Sequence, residues 1–122
     1  MTKMLLLAAL AISASANLAS AETKGTPATV TGWVLDSACA YTKGLTKPIS
    51  RQCALDCAKK GSPLVLLRDD GTIFLPVSDV MPAEGQNERL MPFAGKRVTA
   101  SGKVYAQAGS HAMVIEKIEA AK

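Results

Sequence analysis

The sequence predicts a mainly β fold: five strands closed into one small barrel, with a cysteine-bearing helix inserted after the first strand and a short helical link before the last two. Three observations predict it. Apolar, β-branched runs recur at five places along the 122 residues. Two tight-turn signals, Asp70-Gly71 and Ala108-Gly109-Ser110, fold four of these runs into two hairpins. Segments with helical start and stop signals lie between the runs. Strand, helix, hairpin, helical link, hairpin is the order of an OB-like barrel.

Each element has its own reason. Glu22–Ala28 is polar, carries Gly25 and Pro27, and is expected to be a flexible lead-in to a domain over 29–122. Thr29–Leu35 reads as the first strand through Val30 and Val34, with Gly32 as a bend position. Asp36–Ile49 has no sustained period and is expected to be a loop carrying Cys39. Ser50 can cap a helix that Gly61 ends and Pro63 keeps from resuming. Leu64–Leu67 and Thr72–Val77 form the first hairpin around Arg68-Asp69-Asp70-Gly71. Asn87 is placed to cap a short helical link through Leu90. Arg97–Ala106 and Ala112–Ile118 complete the barrel, the latter with Met113 and Ile115 on one parity and Val114 and Ile118 on the other.

The N-terminal segment has the three parts of a cleavable export signal: Lys3, an apolar stretch Leu5–Ile12, and the small-residue site Ala19-Ser20-Ala21. Its apolar stretch is too short to span a bilayer, which takes about 20 residues. A signal peptide over 1–21, cleaved after Ala21, predicts a periplasmic protein with no transmembrane segment in its mature form. The net charge of +4 is scattered, and five aromatic residues are too few for a base-stacking platform, so nucleic acid is not an expected partner. An envelope protein is the expected class of macromolecular partner.

Two segments carry a family resemblance. The run A-G-K-R-V-T-A-S-G-K-V-Y resembles the G-K-x-V-x-V-x-G-x-V segment of small exported bacterial OB-fold-like domains. G-W-V-L-D-S-A-C followed by C-A-L-D-C-A-K-K-G-S-P-L resembles a poorly characterised group of small secreted bacterial proteins. That group pairs a D-x-x-C loop with a C-A-x-x-C-A helix in front of a D-G hairpin. The resemblance implies a fold rather than an activity. Relatives often carry a His shortly before the helix, where this chain has Ser50, Arg51 and Gln52.

The chemical content lies in Cys39, Cys53 and Cys57. In an oxidising compartment an odd count leaves one thiol over. Cys53 and Cys57 share a helical face about 5–6 Å apart at Cβ, wider than the 3.5–4.5 Å that a disulfide takes. The expected staple is therefore Cys39 with Cys53 or Cys57, an interaction of about 2–4 kcal/mol. The same three sulfurs form a soft-metal arrangement for copper or zinc, with His111 as a fourth ligand and Asp36 as an oxygen ligand or supporting group. Met81, Met91 and Met113 are thioether donors by type, though Met at such positions is usually core filler. Thiol–disulfide exchange is a third use of the same residues. No nucleophile–base set, phosphate loop or acid–base pair of carboxylates is present in the sequence, and no catalytic residues are assigned. The expected function is a non-enzymatic periplasmic binding module for a soft metal. The alternative is a disulfide-stapled adaptor that binds a protein or small ligand through its barrel.

Overall fold

The structure, a computed structural model, describes residues 24–122. The expected export signal over 1–21 lies outside the described residues. Five strands, β1 (Thr26–Asp36), β2 (Leu64–Arg68), β3 (Ile73–Pro76), β4 (Arg97–Gln107) and β5 (Ser110–Ala120), close into a barrel in the order β1-β2-β3-β5-β4. Neighbours are antiparallel, except that β3 and β5 run parallel. This is the OB-like barrel expected from the sequence. Among the described residues no helix is long and apolar enough to cross a membrane.

Two boundaries differ from the sequence reading. The lead-in is shorter than Glu22–Ala28, because Thr26, Pro27 and Ala28 pair with Val104, Lys103 and Gly102. Their polar character reflects exposure, and a backbone ladder needs no apolar side chain. The segment Asp36–Ile49 is not all loop. It opens with α1 (Ser37–Thr42), whose N-cap is Asp36. Six residues are too few to display a helical period, so only the cap spacing could have announced it.

The inserted helix α2 (Arg51–Lys59) follows the sequence signals closely. Ser50 caps it. At its C-terminus the Gly61 N–H donates to Ala58 O and the Ser62 N–H to Cys57 O, with Gly61 at φ +98°. That pair of bonds is a Schellman motif, which requires the left-handed conformation glycine adopts freely. Ala54 and Ala58 face the barrel core. Arg51 at the N-terminal end donates to Pro92 O and Ala94 O, and its backbone lies against Gly95, where a Cβ would collide with it.

The helical link is α3 (Asn87–Leu90), running into a 3-10 turn over Met91–Phe93. Asn87 does not cap it, since Gln86 holds the cap position without a side-chain bond. Asn87 instead accepts from the Leu64 N–H at 2.8 Å and donates to Ala58 O and Ser62 O. It rivets α2, β2 and α3 together. Replacing Asn87 with alanine removes three bonds at about 1 kcal/mol each, including the one from the Leu64 N–H, so a loss of roughly 2–3 kcal/mol is expected. Urea unfolding measures it; a change under about 0.5 kcal/mol would show that water replaces the amide without cost.

The core has two parts. Val34, Leu66, Phe74, Val98 and Met113 fill the barrel, joined by Leu90 and Ala94 from the helical link. Leu35, Val65 and Leu67 point to the opposite face and are covered by Ala40 of α1, with Ile49 from the following loop. This double burial explains why β2 reads as an unbroken apolar run.

The parity expected for β5 holds only over its first half. Met113 and Ile115 point inward. Opposite Gly102 the register shifts: Ser101 pairs with Lys117 and Gly102 with Ile115, leaving Glu116 as the extra residue. That bulge turns Ile118 onto the core face, although it shares parity with Val114. The β4–β5 turn places both Ala108 (φ 48°) and Gly109 (φ 83°) in left-handed conformations. An alanine is strained there, whereas Asn-Gly is the favoured pair. Ala108→Asn is expected to raise stability by about 0.5–1 kcal/mol, seen as a higher melting temperature; an unchanged or lower one would contradict the strain.

Candidate metal centre

Two helix caps bring the cysteines together. In Asp36-x-x-Cys39 the Asp36 carboxylate accepts the Cys39 N–H at 3.1 Å. In Ser50-x-x-Cys53 the Ser50 hydroxyl accepts the Cys53 N–H at 3.2 Å. Each cysteine therefore occupies the third position of its helix, the place a cap side chain reaches. Cys57 lies one turn beyond Cys53 on the same face of α2.

Asp36 sits at the centre. It is the last residue of β1, only 1% exposed, and the one charged residue buried among the described residues. Its carboxylate and the Cys53 and Cys57 sulfurs all lie within 4.8 Å of one another. The Cys39 and Cys57 thiols each interact electrostatically with Asp36 and Cys53. Asp36 and Cys53 are thus the shared members of a four-residue cluster. All three thiols are free and half-buried. A void of about 10 Å³, room for one water, lies beside Cys39 and Cys53, with Ile49 and Lys47 also lining it.

The electrostatics favour the protonated thiols of Cys39 and Cys57. Burial, then the hydrogen bond and negative charge of Asp36, then Cys53, push Cys39 up from 9.0 to about 11. Cys57 is also raised, first by burial and then by the charge of Asp36. Every contribution acts in the same direction, and none comes from a cation. A buried carboxylate beside two thiols, Cys39 and Cys57, that resist ionisation is an arrangement that a bound cation reverses.

The Cys39 shift fixes a pH dependence of the metal-free, reduced protein. Above pH 9 the unfolded chain loses the Cys39 proton while the folded chain keeps it, so the unfolded state binds fewer protons and stability falls. The contribution of Cys39 is fully present below about pH 9 and is lost as pH rises toward about 11. Cys39→Ser should flatten this alkaline fall in urea unfolding curves; an unchanged slope would place the thiol shift elsewhere.

The structure brings together most, but not all, of the residues expected from the sequence. Cys53 and Cys57 form the close donor set, and Asp36 completes it instead of Cys39. Cys39 stands outside that set and lines a common void with Asp36 and Cys53. His111 is outside it: the ring packs against Phe74 with centroids 5.5 Å apart. Met113 is core, and Met81 is exposed on the surface. Asp36, expected as an oxygen ligand or supporting group, is the buried member of the set, and its D-x-x-C spacing matches the S-x-x-C cap of α2.

Compared with known proteins, the chain matches no family, no curated relative and no solved structure.

Proposed function

We propose that this chain is a non-enzymatic binding module of the bacterial periplasm that holds one metal ion, zinc in preference to copper(I), between Asp36, Cys53 and Cys57. The observation that carries this reading is the convergence of a buried carboxylate and two thiols within 4.8 Å. Zinc ligands at about 2.0–2.3 Å in a tetrahedron lie closer together than that, so the set closes by a small side-chain movement. Two thiolates suit both metals, whereas a carboxylate oxygen suits the borderline ion, zinc, better than the soft one. A dication also offsets the negative charge that ionising Cys53 and Cys57 beside Asp36 creates. The periplasmic assignment rests on Lys3, Leu5–Ile12 and Ala19-Ser20-Ala21.

The test is zinc titration of the reduced protein under nitrogen against a chromophoric chelator, with cobalt(II) as a spectroscopic substitute. One zinc per chain and a sulfur-to-cobalt charge-transfer band are expected, both lost in Cys57→Ser. Reduced wild type that takes up no more zinc than a variant with all three cysteines replaced by serine would overturn the reading. Tighter binding of copper(I) than of zinc would overturn the metal preference.

A further inference from the structure

Cys53 has two mutually exclusive uses in this geometry. It belongs to the donor set with Asp36 and Cys57. It also lines, together with Cys39 from a different helix, one small void. Cys57 stands one turn away on the same face as Cys53, a separation that opposes a bridge within α2. Cys57 does not line the void that Cys39 and Cys53 share. One cysteine pair is therefore favoured for a disulfide, and it consumes a metal ligand.

We propose that a Cys39–Cys53 disulfide is a redox gate on the metal site, closed by oxidation and opened by reduction. This rests on the metal reading above. The step is an exchange with a low-molecular-weight disulfide: Cys39-SH and Cys53-SH with R-S-S-R give the Cys39–Cys53 bond and two R-SH. The protein loses two electrons and two protons, and the small disulfide gains both. With a metal bound, Cys53 would already be a thiolate, so the same exchange would give one R-SH and one R-S⁻ and release the ion. Asp36 and Cys57 then remain as two donors, too few to retain zinc against solvent. The coupling is reciprocal: a bound ion protects Cys53 from oxidation by the factor by which oxidation weakens binding.

Three features of the site favour this pairing. The bridge joins α1 to α2 through residues that hold the same position, third after the N-cap, in their two helices. The void beside both sulfurs leaves room for them to move together without displacing the core. Lys47 lines that opening, so an anionic thiol reagent meets a cation at its rim.

The experiment uses the mature chain in reduced form and after equilibration with excess oxidised glutathione, with intact mass confirming that no glutathione remains attached. Peptide mapping locates the bridge, and zinc affinity is measured on both forms and on Cys39→Ser. A Cys39–Cys53 bridge is expected, with zinc affinity at least a hundredfold weaker in the oxidised wild type. Cys39→Ser should bind zinc like reduced wild type and keep doing so after the same treatment. Zinc added first should slow bridge formation. A bridge mapped to Cys57, or oxidised wild type that still binds zinc tightly, would overturn the gate and leave the metal site standing. Loss of zinc binding in reduced Cys39→Ser would overturn it too, by making Cys39 a ligand. Reduced wild type that fails to bind zinc removes the metal reading itself, and the gate with it.

Discussion

Gly102→Ala should unfold the barrel or bring it close to unfolding, at a cost above about 3 kcal/mol against a total of roughly 5–15 kcal/mol for a small domain. A Cβ at this position would lie inside the contact distance of the Val114 carbonyl and against the Glu116 N–H. Both are backbone atoms of the neighbouring strand, so no side-chain rotation relieves the clash. The obstruction falls at the β-bulge, where the register between β4 and β5 shifts. Relief therefore requires re-registering the strand, and a one-residue slip would send Ile118 to solvent. Thermal unfolding followed by circular dichroism measures the effect. A melting temperature within a few degrees of wild type would mean that the strands separate locally at little cost.

Cys53→Ser should have the second large effect, on binding rather than on folding. Loss of groups that merely support a metal ligand costs about 10–100-fold in affinity, so loss of the ligand itself should exceed a hundredfold. Stability should change by less than about 1 kcal/mol. The position is half-buried, and the Ser50 hydroxyl bonds its backbone N–H regardless of side chain. Zinc titration and urea unfolding on one preparation separate the two. Equal losses in both would reduce Cys53 to a packing residue.

The parts of the fold that were legible in the sequence are those governed by neighbouring residues. Ser50 and Gly61 marked both ends of α2, and Asp70-Gly71 marked the first hairpin, because caps and tight turns are decided within a few positions of the chain. The inward turn of Ile118 was not legible. It depends on where β4 lies, which a count along β5 cannot contain. Asn87 presented the same difficulty: its residue type suits a cap, and its partners Leu64, Ala58 and Ser62 are brought to it only by folding.

The site divides in the same way. Cys53 and Cys57 were readable as a pair because helical periodicity sets their separation. The entry of Asp36 ahead of Cys39 was not. It requires knowing that β1 ends in a buried carboxylate turned toward a helix that starts fifteen residues later. His111 looked equivalent to any other histidine in the sequence, and the barrel places its ring against Phe74 instead.

The two ends of α2 give the site a mechanical character. Arg51 ties the first turn to Pro92 and Ala94, and Asn87 ties the last to the start of β2. Cys53 and Cys57 ride between two clamps, so the entropy of holding them in place is met by folding and not by the ligand. Cys39 rides on α1, a single short helix followed by an exposed stretch from Thr42 to Pro48 in which only Gly44 is part-covered. One side of the cluster is an anvil and the other a hammer, and any rearrangement among the sulfurs should be made by Cys39 coming to Cys53.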